Sequence, residues 1–182
     1  MNLSRRIWLT GASSGIGLEL ARQLLAYVRK FVAGGGAVIF ISHILAEILS
    51  VSDRVVVMKD GKVVADRPAS EFDETGLVQA MGSVARAAEA RKVAPAAEKT
   101  EAPVLRVAAR GGNGIDLVAH RGEIVGLAGV EGNGQFEMLE VLTGLRHVRG
   151  GEVLLAGDQC THMSNRQRRE RGLALIPEDR NL

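Results

Sequence analysis

Hydrophobic positions along this chain fall into runs of two kinds, continuous and periodic. Arg6-Ile7-Trp8-Leu9 is a short apolar run, and Leu18, Leu20, Ala21, Leu24 and Leu25 recur at helical spacing. The pattern predicts a strand and a helix, joined by Thr10-Gly11-Ala12-Ser13-Ser14-Gly15-Ile16-Gly17. Helical character continues over 27–32 until Gly34-Gly35-Gly36 ends it. Residues 37–42 are unbroken apolar sequence ending in Ser42, the type of strand a parallel sheet buries on both faces. A short helix over 44–49 follows. Strands over 55–59 and 62–65 then flank Asp60-Gly61, the strongest hairpin signal present.

The second half repeats the logic with more punctuation. Residues 104–107 and 115–118 alternate apolar and polar like edge strands, 123–127 is a buried strand, and 136–145 is an amphipathic helix. Residues 152–157 predict a strand with a turn, 166–172 a helix and 173–176 a strand. Between the halves, 83–103 is rich in Ala, Glu, Lys and Arg, carries Pro95 and Pro103, and reads as a linker. The expected fold class is α/β, with a mainly parallel P-loop- or Rossmann-like sheet and antiparallel edge hairpins.

The most informative chemistry lies between the 123–127 strand and the 136–145 helix. Gly129, Gly132 and Gly134 punctuate a loop that also holds Glu131 and Asn133. Strand, glycine loop and helix is the layout that surrounds a phosphate with backbone N–H groups and a helix N-terminus. From Gly129 the spacing is that of a P-loop, but Gln135 and Phe136 stand where Lys and Ser/Thr are expected. Gln135 brings no charge, and Phe136 cannot ligate Mg²⁺. The loop is therefore suited to hold a nucleotide and poorly equipped to hydrolyse it.

Composition narrows the partners. Aromatic residues are 3% of the chain, too few to build stacking platforms for single-stranded nucleic acid, and a net charge of +2 does not argue for nucleic acid either. The local cluster of Arg166, Arg168, Arg169 and Arg171, broken by Glu170, predicts a solvated helix face. The single Cys160 fits a reducing compartment, and no apolar run reaches membrane-spanning length, so a cytoplasmic chain is expected. No metal-binding cluster is evident in the sequence.

Two resemblances follow from these residues. Residues 1–25 match in full the glycine pattern opening short-chain dehydrogenases/reductases. That implies NADP(H) contacts at Gly11, Ser13, Gly15, Ile16 and Gly17. The catalytic Tyr-x-x-x-Lys of that family is not matched, because Tyr27 is followed four residues on by Phe31, with Lys30 in the wrong register. Residues 26–182 resemble the ATP-binding subunit of sugar and nucleoside ABC importers. In that resemblance 26–82 is the end of a first cassette, carried by Ile41-Ser42-His43 and by 53–63. Residues 83–103 join the cassettes, and 104–182 is the start of a second, degenerate one.

The importer resemblance implies ATP as ligand, with Mg²⁺ weak or absent, at Gly129, Glu131, Gly132, Asn133, Gly134, Gln135 and Phe136. It makes His43 the switch histidine and places Glu178, in Ile176-Pro177-Glu178-Asp179-Arg180, at the Q-loop position. It implies membrane subunits as partners, a possible cassette-type homodimer, and a peripheral place at the inner face of the plasma membrane. On this reading the chain is truncated or chimeric, built from incomplete cassettes. Two half-cassettes are expected to leave apolar strand edges open.

Overall fold

The continuous apolar runs become neighbouring parallel strands. A computed structural model describes residues 6–10, 26–42, 44–82, 103–109, 115–130, 132–147 and 150–176. In chain order it contains β1 (Arg6–Thr10), a helix over residues 26–33 (α1), β2 (Ala37–Ile41), α2 (Leu45–Val51), β3 (Arg54–Lys59) and β4 (Lys62–Pro68). A 3₁₀ turn (Ala69–Glu71) leads into α3 (Glu74–Gly82). Further along the chain come β5 (Leu105–Ala109), β6 (Ile115–Ala119), β7 (Glu123–Gly129), α4 (Gln135–Thr143), β8 (Gly151–Leu155), β9 (Asp158–Gln159), α5 (Asn165–Glu170) and β10 (Leu173–Ile176).

Six strands form one sheet in the order β10-β1-β2-β7-β3-β4. The first five are parallel and β4 closes the edge as the antiparallel arm of the hairpin. Strands from the two halves interleave: β7 lies between β2 and β3, which precede it by some 60 residues or more. The apolar edges expected to stand open are instead paired with each other. Ala37 faces Glu123 and Arg54 faces Val125 across the two flanking ladders. The antiparallel elements are not all edge hairpins of this sheet. Four of them form a separate sheet in the order β6-β5-β8-β9.

Period two divides the core. Ile39, Ile41, Val56, Met58, Val125 and Leu127 point to one face, where they meet Val104, Leu105, Val107, Leu117, Val153 and Leu155 of the second sheet and Met138, Leu139 and Leu142 of α4. Val38, Phe40, Val55, Val57, Ile124 and Ala128 point to the other face, against Val28 and Val32 of α1, Ile48 and Val51 of α2, and Leu77 of α3. Every residue of β2 and β7 is buried, as the unbroken apolar runs require. The Asp60-Gly61 turn has positive φ at both residues, 49° and 69°, the backbone a tight hairpin demands.

Two expectations need correction. Strand β5 is an inner strand, between β6 and β8. It alternates because one face covers the core while the other carries Arg106, exposed between Asp116 and Glu152. The arginine cluster is not a uniformly solvated face: Arg168 is 1% exposed. Its guanidinium donates to the carbonyls of Val141, Leu142, Thr161 and Met163, closing the carboxyl end of α4. Burial lowers its pKa from the ordinary arginine value.

Candidate functional site

The parallel strands bring their carboxyl ends to one edge, where open α/β sheets bind ligands. Thr10 lies level with Ile41, and Ile41 with Leu127, so the carboxyl ends of β1, β2 and β7 lie side by side. The segment leaving β7 is the glycine loop. Gly129 is the buried last residue of β7, and Gly134 begins α4 at φ 97°, a left-handed conformation that a side chain strains to adopt. Gly132 has φ 84°. Gly134, the cap residue, has no side chain with which to accept from the first turn, so the amino end of this nine-residue helix meets the loop without a side-chain cap from it.

Asn133 fixes the loop to the β3–β4 hairpin. Its Nδ2 donates to the Met58 carbonyl at 3.3 Å, its Oδ1 accepts from the Asp60 amide at 3.2 Å, and its carbonyl accepts from the Gly61 amide at 3.1 Å. The Asn133 amide donates back to the Val130 carbonyl at 3.1 Å. The side chain expected to contact ligand is thus occupied in holding the loop, a role no spacing rule reveals. Gln135 is buried and donates from Nε2 to the Val130 carbonyl at 3.2 Å. Phe136 is 42% exposed at the rim, as is Val130 at 54%.

Ser42, read in the sequence only as the end of its strand and part of the Ile41-Ser42-His43 match, has hydrogen bonds of its own. Its Oγ accepts from the Ile44 amide at 3.1 Å and donates to the Glu47 carboxylate at 3.0 Å. It therefore spans the turn between β2 and α2 from both sides of position 43. Its short, polar side chain directly after a buried strand was the available signal. His43 itself lies outside the described residues, as do Glu131, Glu178, Gly11, Ser13, Gly15, Ile16 and Gly17. Of the expected phosphate-binding residues, the structure assembles Gly129, Gly132, Asn133, Gly134, Gln135 and Phe136.

The amino ends of β3 and β7 carry a different arrangement. Arg54 Nε donates to Glu123 Oε1 at 2.9 Å, and Nη1 donates to both oxygens of Asp66 at 2.7 and 2.8 Å. Nη2 donates to the Val118 carbonyl, and the His120 amide donates to the second Glu123 oxygen at 2.8 Å. Burial disfavours the charge on Arg54, but Glu123 and then Asp66 outweigh it and raise its pKa. This knot joins β3, β4, β6 and β7 far from the loop.

Chemically, the loop offers glycine backbone and an uncapped helix start, which suit a phosphate oxyanion. It offers no lysine charge, and at the position of a Mg²⁺-ligating hydroxyl it presents an exposed phenyl ring. Among the described residues no group of three or more His, Cys, Asp or Glu is placed to hold a metal ion, and no helix is long and apolar enough to cross a membrane.

Sequence comparison points the same way. The chain is 38% identical over 172 residues to the autoinducer 2 import ATP-binding protein of Enterobacter sp. (strain 638), covering 88% of this chain and 35% of that protein. It is 37% identical over 175 residues to a ribose import ATP-binding protein of Rubrobacter xylanophilus, covering 94% and 33%. It is 30% identical over 168 residues to the nucleoside import ATP-binding protein of Lactococcus lactis subsp. cremoris, covering 87% and 33%. The chain spans about a third of the length of these curated relatives. No protein-family model matches it. No solved structure matches it.

Proposed function

We propose that this chain is an ATP-binding element of the sugar and nucleoside ABC importer type, holding nucleotide at Gly129–Gly134 without competent hydrolysis. The observation that carries the proposal is the glycine loop itself. It stands at the carboxyl edge of a parallel sheet, pinned by Asn133 and opening onto the uncapped amino end of α4. Similarity to import ATP-binding proteins over nearly nine-tenths of the chain supports the same reading. The nucleotide phosphates would meet the backbone of the loop and the first turn of α4, and binding would depend little on Mg²⁺. His43, next but one after β2 in the sequence, and Glu178, two residues past β10, complete the reading as the residues the importer resemblance would put to work on the terminal phosphate. In the whole protein, membrane subunits would be the partners, a second cassette-like surface would pair with the loop, and the chain would work at the cytoplasmic membrane face.

A second reading has one observation in its favour. Strand β1 is an interior parallel strand, between β10 and β2, which is where a dinucleotide-binding fingerprint places its strand. On that reading NADP(H) would be held after Thr10, at Gly11, Gly15 and Gly17. Amide hydrogen exchange of the purified chain with ATP, with NADPH, and with ATP plus Mg²⁺ tests both. Saturable protection at 129–135 by ATP with or without Mg²⁺, and no phosphate release, is expected. Protection at 11–17 by NADPH alone would replace the first reading with the second.

A further inference from the structure

Gln135 folds back onto the loop that precedes it. It is the first residue of α4, yet only 5% exposed. Its amide lies against Gly129, where a Cβ would collide with it, so the glycine at 129 makes the room this side chain occupies. Nε2 is committed to the Val130 carbonyl at 3.2 Å, while the buried Oε1 has no hydrogen-bond partner. The uncapped start of α4 attracts an anion. One N–H of the carboxamide is committed to the loop's own carbonyl, and its buried oxygen, an acceptor only, repels an anion that approaches it.

We propose that Gln135 is a latch that closes the glycine loop against a phosphate group, which enters only when the side chain releases Val130. The inference rests on reading this loop as a phosphate site and adds the residue that sets its affinity. The closed state holds one hydrogen bond and leaves one acceptor buried without a partner. The latch is therefore light, and ligand binding releases it at modest cost. A residue that contacts phosphate and a residue that blocks it differ in sign. Truncating a ligand weakens binding, whereas truncating a latch strengthens it.

The test titrates the full chain with a fluorescent ribose-labelled ATP in EDTA, comparing the parent with Gln135→Ala, Gln135→Met and Gln135→Lys. Gln135→Ala should bind about fivefold more tightly, the ratio that corresponds to about 1 kcal/mol. Gln135→Met fills the same space without the hydrogen bond and should fall between the parent and Ala. It also carries the test if the Ala variant unfolds. In parallel, the Gln135 side-chain amide protons should be protected from exchange in the free chain and lose protection on binding. Equal or weaker binding by both Ala and Met, with binding by the parent intact, overturns the latch and leaves the phosphate site standing. Absence of saturable binding in every variant, Gln135→Lys included, removes the phosphate site and the latch with it.

Discussion

Strand β7 and helix α4 form one continuous unit, and its outer ends are built differently from its middle. At the start of β7, Arg54, Glu123 and Asp66 satisfy one another and the neighbouring backbone. At the end of α4, Arg168 donates to four carbonyls, and Gly144 turns the chain at φ 78°. Between them lies a loop of glycines, an uncapped helix start and a buried amide oxygen without a partner. The ends hold the unit in place with saturated charges. The middle keeps the open amino end of α4, which is what a phosphate needs, beside an acceptor oxygen that must move away before a phosphate can enter. Fixed ends are what allow an unsatisfied middle to persist in a folded chain.

The largest effect should come from breaking the amino end. Arg54→Met takes the Arg54 guanidinium away from Glu123, a carboxylate only 2% exposed, and from Asp66. Removing one member of such a pair costs about 3–5 kcal/mol, read as a fall in the urea midpoint. Adding Glu123→Met to that variant should recover more than half of the loss, because the buried carboxylate is then gone. The same variants, below their unfolding midpoint, should bind nucleotide as the parent does. A fall in affinity matching the fall in stability would show that the anchored end and the open loop are one cooperative feature.

Next in size is the carboxyl end of α4. Arg168→Met strands four carbonyls that now share one guanidinium, at a cost of about 2–3 kcal/mol. Arg168→Lys should rescue less than half of that, since an ammonium lacks the planar fork that reaches several acceptors at once. Full rescue by Lys in a thermal or urea melt would mean that charge near the helix end, and not the carbonyl geometry, is what matters.

Much of this was legible in the residues. Continuous apolar runs at 37–42 and 123–127 announced doubly buried strands, and Asp60-Gly61 announced its hairpin, because burial and turn geometry act on local sequence. The glycine loop was legible for the same reason. The pairing order was not: no local signal says that β7 inserts between β2 and β3, since any doubly buried parallel strand can neighbour any other. The role of Arg168 was hidden because its sequence neighbours are exposed charges, and only the packing of α5 against the end of α4 buries it. Asn133 and Gln135 read as ligand contacts by spacing, whereas their hydrogen bonds turn them toward the protein.

The smallest effect should come from Asn133, which joins the anchored and open regions. Asn133→Ala removes one donor bond to Met58 and one acceptor for Asp60, while the backbone bond from Gly61 survives. These groups are only partly buried, so water replaces most of what is lost, and stability should fall by about 1 kcal/mol or less. The loop, however, is then tied to the hairpin by that one backbone bond alone. A ligand that binds an ordered loop must then order it first, so nucleotide affinity should fall by a larger factor than stability predicts, about tenfold. Asn133→Asp keeps the acceptor for Asp60, loses the donor to Met58 and adds charge beside the loop, and should bind more weakly still. If Asn133→Ala lowered stability and left affinity unchanged, the loop would be ordered by its glycines and by α4 alone. The saturated ends of the unit would then need no link through the hairpin to hold its middle open.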